Sequence, residues 1–264
     1  MSIPGKRSLK RSLARALKQT ATKTFRRAGF EIRSTKEMRP YEPDIRHEEI
    51  FPEATYSPWL SDAEFNGVYA TVREKTLVDR YRCYELWELV GEVAKLPEGD
   101  LLEVGVWRGG TGAIIAKKAR LAGIQNPVYL CDTFKGVVKA GSLDAFYTGG
   151  EHADTTKEGV IDLMDRMNLE GVRVLEGIFP DDCRHLLEGR SFRFCHIDVD
   201  VYQSARDITE WIWPRLVPHG AIVYDDYGFR SCIGVTRFVN EERSSPDRMV
   251  IHNLNGHAIV VKTT

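Results

Sequence analysis

The chain has 264 residues, 42% hydrophobic and 28% charged, a balance ordinary for a folded globular protein and unlike that of a disordered one. Mean hydropathy is -0.32, and no run approaches the ~18 consecutive apolar residues of a membrane-spanning helix. The formal net charge of -1 argues against a wholly basic nucleic-acid binder, and no nucleic-acid partner is expected.

That charge averages two unlike parts. Residues 1–40 carry twelve Lys and Arg against two acids, a net +10; the rest carries 25 basic and 36 acidic residues, a net -11. Five cysteines, an odd number without a C-x-x-C pair, fit neither a disulfide framework nor a zinc site. Cys131 and Cys195 lie in apolar runs and read as small buried hydrophobes. The N-terminus lacks an uninterrupted apolar h-region, so the expected compartment is the reducing cytoplasm.

Within the basic arm Leu9, Leu13, Ala16 and Leu17 fall near helical spacing, with bases on the other faces. Three readings are open: a solvated extension, a helix leaning peripherally on an anionic membrane surface or acidic partner, or a transit peptide. Pro40, Pro43, Pro52 and Pro58 predict an irregular linker or flap, taken as residues 41–75. From Asp62 to Ala94 the pattern is helical, and Pro97-Glu98-Gly99-Asp100 stops it. The folded domain is placed at 76–264.

Strand-like runs then alternate with helix-like ones. The strands are Leu101–Val106, Val128–Phe134, Val172–Gly177, Phe192–Val199, Ala221–Asp225, Met249–Leu254 and Ala258–Lys262. Helix-length segments cover Gly112–Ala122, Lys157–Met167 and Ala205–Leu216. Near-continuous apolar strands separated by helices predict an α/β fold, a mostly parallel sheet with helices on both faces. Only Asn255-Gly256-His257 separates the last two runs, which predicts a hairpin with a tight Asn-Gly turn and an antiparallel final strand.

Two constellations carry chemistry. The first is Glu103-Val-Gly-Val-Trp-Arg-Gly-Gly-Thr-Gly112, a strand running through a glycine turn into a helix. It is neither a P-loop nor a G-x-G-x-x-G fingerprint, which favours a neutral or zwitterionic ligand over a pyrophosphate. Glu103, an acid inside an apolar strand, needs a polar partner, and a ligand ammonium is one. Asp132, at the end of the second strand, sits where nucleotide-binding sheets place an acid on ribose hydroxyls; capping the next segment is its alternative. In this order they indicate an adenosine-type ligand.

The second constellation is Ile197-Asp-Val-Asp-Val-Tyr202 with Tyr224-Asp-Asp-Tyr227: two strands that end in acids. Strand alternation puts Asp198 and Asp200 on one face if both are extended, and Asp225 and Asp226 follow at the neighbouring strand end. Clustered carboxylates would take up protons unless a cation neutralised them, and a hard ion such as Mg²⁺ suits all-oxygen ligands. Capping of the next helix is the alternative for Asp200. His196 reads as a core residue first and a functional one second, and His252 and His257 rank below it. Tyr227 is a packing residue that could line a pocket.

Leu102-Glu-Val-Gly-Val-Trp-Arg-Gly-Gly110, Asp132-Thr-Phe-Lys-Gly136, the Asp198 run and Asp225-Asp226-Tyr227, in that order, resemble the macrocin O-methyltransferase (TylF-like) family from about Thr76 onward. The resemblance implies a Rossmann-like class I methyltransferase sheet and an S-adenosylmethionine- and Mg²⁺-dependent O-methyltransferase acting on a sugar hydroxyl of a glycosylated natural product or glycan. It implies that Glu103, Gly105 and Gly109 hold the methionine part, Asp132 the ribose, and Thr76 and Leu77 the methionine end again. Trp107, Gly110 and Thr133 complete the expected cofactor-binding set. Asp198, Asp225 and Asp226 become the metal ligands, and Asp198 is also the candidate base. Val199 and Val201 depart from the pattern and leave the acceptor open. A vicinal diol acceptor and a homo-oligomer are compatible with this reading. The rivals are a catechol-type methyltransferase, a metal-dependent phosphoesterase and a non-catalytic adaptor working through its arm. The loop Val137–Glu158 is where acceptor contacts are expected.

Overall fold

The computed structural model describes residues 20–21, 23–25, 27–29, 44–50 and 53–264. The chain divides into two compact units. One comprises residues 1–39 and 46–51, and its described part includes helical residues at 20–21, 23–25 and 27, followed by Gly29 at φ 83°. The Leu9, Leu13, Ala16 and Leu17 pattern, Pro40, Pro43 and Pro52 lie outside the described residues. Among the described residues no helix is long and apolar enough to cross a membrane.

The other unit, residues 40–45 and 52–264, holds a seven-stranded sheet. Its helical entry is two helices, α1 (Ala63–Val72) and α2 (Arg80–Val93), rather than one continuous run. Each begins at an aspartate cap. Asp62 accepts the Phe65 N–H, and Asp79 accepts those of Tyr81 and Arg82. The break between them carries Thr76 and Leu77 toward the sheet. Asp62 also takes the Trp87 indole N–H at 3.0 Å, tying α1 to α2. Phe65, Val68 and Val72 of α1 are buried, so part of the expected linker is core.

The strands are β1 (Asp100–Val104), β2 (Val128–Asp132), β3 (Val172–Glu176), β4 (Phe192–Ile197), β5 (Leu216–Tyr224), β6 (Arg248–His252) and β7 (Ala258–Lys262). Between them lie α3 (Gly110–Leu121), α4 (Lys157–Arg166), α5 (Tyr202–Ile212) and α6 (Ile233–Glu242). The order across the sheet is β3-β2-β1-β4-β5-β7-β6. The first five strands run parallel, and β7 is antiparallel to both β5 and β6. All seven expected strands are present. Helix α6 was not foreseen: it has no side-chain cap, and its Ile-Gly-Val-Thr opening reads as strand.

The hairpin is looser than a two-residue Asn-Gly turn. Five residues, 253–257, join β6 to β7; Asn253 N–H donates to His257 O at 2.9 Å, and the Asn253 side chain accepts the Asn255 N–H. His257 is wholly buried and drawn inward, which costs the strand its last residues.

Strand alternation sorts the core into two layers. Leu101, Leu130 and Phe194 pack with α1–α4 through Trp87, Ile114 and Leu163, whereas Leu102, Ile197 and Tyr224 pack with α5 and α6 through Ile208, Trp211 and Phe238. The parallel topology leaves the carboxyl ends of β1, β2, β4 and β5 side by side, where open α/β sheets bind ligands.

Candidate active site

At that edge the sheet's hydrogen bonding runs one residue beyond the strands: Gly105 N–H to Cys131 O, Asp198 N–H to Val104 O and Asp225 N–H to Ile197 O, all near 3 Å. Gly105, Asp198 and Asp225 are thereby neighbours. Gly105 has φ 87°, and a Cβ there would lie 1.6 Å from the Asp198 carbonyl oxygen, so no other residue fits. A cavity of about 240 Å³ opens over them.

The glycine turn after β1 is clasped by Asp132. Its Oδ2 accepts the N–H groups of Val106 (2.7 Å) and Trp107 (2.8 Å), and its Oδ1 accepts that of Phe134. Of the residues expected to bind a cofactor, Thr76, Leu77, Gly105, Trp107, Asp132 and Thr133 line the cavity. Glu103, Gly109 and Gly110 do not. Gly109 meets α4 side chains, and Gly110 packs on Lys75, whose carbonyl accepts its N–H at 2.9 Å. Glu103 is wholly buried, and the polar partner it needs is His196, whose Nδ1 stands 2.8 Å from Glu103 Oε1. Its other oxygen, Oε2, is buried with no hydrogen-bond partner among the described residues.

Two acid-tipped turns meet beside this clasp. Asp226 Oδ2 accepts the N–H groups of Val199 and Asp200, bending the chain so that Asp200 takes φ 65°. Asp200 is therefore not extended, and it does not cap α5: Val201 holds the cap position without a side-chain bond, and Asp144 Oδ1 accepts the Tyr202 N–H at 2.9 Å. Nonetheless Asp198, Asp200, Asp225 and Asp226 all line the cavity. One oxygen from each of Asp198, Asp225 and Asp226 falls within 4.8 Å of the others.

The charges there are unevenly balanced. Asp225 bonds to the Arg82 guanidinium through Oδ2 and to His257 Nε2 at 2.8 Å through Oδ1, with His196 Nε2 3.5 Å away. Burial alone would raise its carboxyl; the two histidines and Arg82 hold it well below the usual carboxylate range instead. Burial and the neighbouring acids push Asp198 well up, raise Asp226, and push Asp200 to about 8. A donor set of close carboxylate oxygens, two of them raised by burial and mutual repulsion despite Arg82, fits a hard divalent cation.

Asp198, Asp225 and Asp226 are thus brought together as expected. Arg82 and His257 were missed or ranked low, because α2 and the β6–β7 loop reach Asp225 from distant sequence. Tyr227 does not line the cavity; its hydroxyl donates to Asn240. From the loop between β2 and α4, Val137, Val138, Tyr147 and His152 do line it.

Residues 56–253 match the model of the macrocin-O-methyltransferase (TylF) family. The chain belongs to that family. The match begins at residue 56, not near Thr76, so α1 lies inside the family region rather than in a linker outside it. Among its relatives is the 8-demethyl-8-(2,3-dimethoxy-alpha-L-rhamnosyl)-tetracenomycin-C 4'-O-methyltransferase of Streptomyces olivaceus, 32% identical over 145 residues, 51% of this chain and 55% of that protein. Another is the mycinamicin III 3''-O-methyltransferase of Micromonospora griseorubida, 28% identical over 168 residues, 58% of this chain and 64% of that protein. The matched stretches thus span less than two thirds of either relative's length. Among solved structures, the O-methyltransferase NovP superposes with a TM-score of 0.63 at 23% identity, over 72% of this chain and 83% of that one. That is a likeness of fold.

Proposed function

We propose that this chain is an S-adenosylmethionine-dependent O-methyltransferase that methylates a sugar hydroxyl of a glycosylated natural product or glycan, assisted by Mg²⁺. One observation carries the reading: a single cavity joins the Asp132-clasped glycine turn to the Asp198–Asp225–Asp226 cluster. Activated-methyl chemistry at an alcohol needs both halves within one enclosure. The rhamnosyl group in the name of the Streptomyces olivaceus relative supports the acceptor class.

A sugar hydroxyl ionises near the ~15.7 of water and is a poor nucleophile at neutral pH. A divalent cation held by Asp198, Asp225 and Asp226 would supply the charge that eases its deprotonation. The residues of the chain do the rest. Thr76, Leu77, Gly105, Trp107, Asp132 and Thr133 enclose the nucleoside and methionine parts of the donor. Arg82 and His257 fix Asp225 in its ionised form. Asp198 is the base this reading assigns, and Asp200, which lines the same cavity, is a second carboxylate that would accept the hydroxyl proton once a bound cation lowers its affinity for protons. The enclosure holds donor and acceptor for in-line attack.

The test is a methyl-transfer assay with S-adenosylmethionine over deoxysugar glycosides and a catechol, with and without a chelator, beside calorimetric titration of S-adenosylhomocysteine. Turnover of glycosides, lost on chelation and restored by Mg²⁺, with homocysteine-nucleoside binding unchanged, is the expected result. Asp198→Asn should abolish turnover and weaken Mg²⁺ binding while homocysteine-nucleoside affinity stays, and Asp200→Asn should lower turnover with nucleoside affinity likewise kept. Preference for the catechol would move the acceptor class; failure to bind the nucleoside would end the reading.

A further inference from the structure

The stretch from Thr133 to Thr156, between β2 and α4, is a braced loop rather than a loose connection. Val137 N–H donates to Glu151 O and Gly150 N–H to Val137 O, both within 2.9 Å, which closes residues 137–151 into a ring of chain. Three further ties pin the ring to the body. Lys139 bridges Asp207 (2.6 Å) and Asp181 (2.7 Å), Ser204 Oγ donates to Val138 O at 3.0 Å, and Asp144 accepts N–H groups from both Gly141 and Tyr202. The bracing fixes what the loop shows to the cavity.

It shows Tyr147 and His152. Both line the cavity, and their rings meet at 6.0 Å between centroids. Burial and the adjacent Asp200 carboxylate push the Tyr147 phenol up, so it stays an O–H donor beside Asp200. His152 adopts φ 63°, a left-handed backbone that a residue with a Cβ holds only at a cost of order 1–3 kcal/mol. Neither residue takes part in the Asp132 clasp or the Asp225 ion pairs.

We propose that Tyr147 and His152 form the wall on which the acceptor sugar docks, the phenol and imidazole bonding ring hydroxyls and so selecting the hydroxyl offered beside Asp200. A pair of flat rings with polar edges, facing carboxylates, matches a pyranose, which has apolar faces and a rim of hydroxyls. The inference rests on the methyltransferase reading, and it names specificity-determining residues within it.

Tyr147→Phe and His152→Ala each remove one such bond and leave the core untouched. With methyl α-L-rhamnopyranoside and related 6-deoxyhexosides as acceptors, each substitution should raise acceptor KM about 5- to 10-fold, the worth of one neutral hydrogen bond, and the double variant more. Calorimetric affinity for S-adenosylhomocysteine and the melting temperature should stay at wild-type values. Unchanged KM in both variants overturns the wall while the methyltransferase reading stands. A parallel loss of homocysteine-nucleoside affinity assigns the residues to the donor half and also overturns it. A wild-type chain that binds the nucleoside but methylates none of the deoxyhexosides overturns the wall and the sugar acceptor together, and one that binds no nucleoside overturns the broader reading.

Discussion

Glu103 Oε1 stands 2.8 Å from His196 Nδ1, and neither side chain is reached by solvent. The pair spans β1 and β4 at directly opposed positions of the sheet. One carboxylate oxygen is thus engaged inside the protein, while Oε2 stays buried without a hydrogen-bond partner among the described residues.

Replacing Glu103 by Ala should therefore act on folding before it acts on binding. Stranding a buried partner charge costs roughly 3–5 kcal/mol, and urea denaturation should show a loss of that order. Homocysteine-nucleoside affinity of the protein that remains folded should hardly move. A stable Glu103→Ala protein with weakened nucleoside binding would return Glu103 to the ligand.

The same network sets a pH dependence. Flanking Asp225 and Glu103 outweigh burial and lift His196 to about 9 from the ordinary ~6.5. A histidine raised on folding contributes stability in full below ~6.5 and loses it as pH climbs through about 9, on the order of 3 kcal/mol in all. Asp200, lifted to about 8 by burial and Asp226, acts in the same direction: its folded form prefers the proton, so stability falls as that proton leaves. Urea midpoints measured in chelator should fall from pH 6.5 to 9. Mg²⁺ should offset the carboxyl part and leave the histidine part. A flat profile would contradict both assignments.

Gly105→Ala tests the sheet edge. Its Cβ would collide with the Asp198 carbonyl, and the residue holds a positive φ, so the edge must part. A loss above about 3 kcal/mol is expected from such combined overpacking and backbone strain, read as an insoluble protein or a low melting temperature. Wild-type stability in this variant would mean that β1 and β4 end differently.

Removing residues 1–39 should leave turnover and nucleoside affinity near those of the full chain, because the described residues that line the cavity all fall between Thr76 and Cys232. Comparing kcat and KM of the two proteins decides it. A large drop in kcat would give the basic arm a catalytic share.

The sequence made the sheet and the acids legible for one reason. Apolar runs ending in Asp198, Asp225 and Asp226 need only a parallel topology to converge, and that topology follows from the alternation of strands with helices. Asp132 was legible by its interval from the glycine turn. What stayed hidden are the residues that complete the charge balance. Arg82 sits 143 positions from Asp225, and His257 reaches it from a loop whose length depends on His257 being pulled inside. No spacing rule encodes such meetings. Tyr147 and His152 were bracketed only as part of a long loop, since the ties that brace it run to Asp181, Tyr202, Ser204 and Asp207, far along the chain. Helix α6 was missed because its opening residues favour strand and its first turn lacks a capping side chain.

The insertion of β7 between β5 and β6 has a temporal consequence. During synthesis β6 emerges with no strand to pair with, while the free border of β5 waits open until β7 arrives. His257, immediately ahead of β7, reaches Asp225 only when that gap is filled. Closure of the sheet and the charge balance of the acid pocket thus depend on the same short segment, residues 257–262.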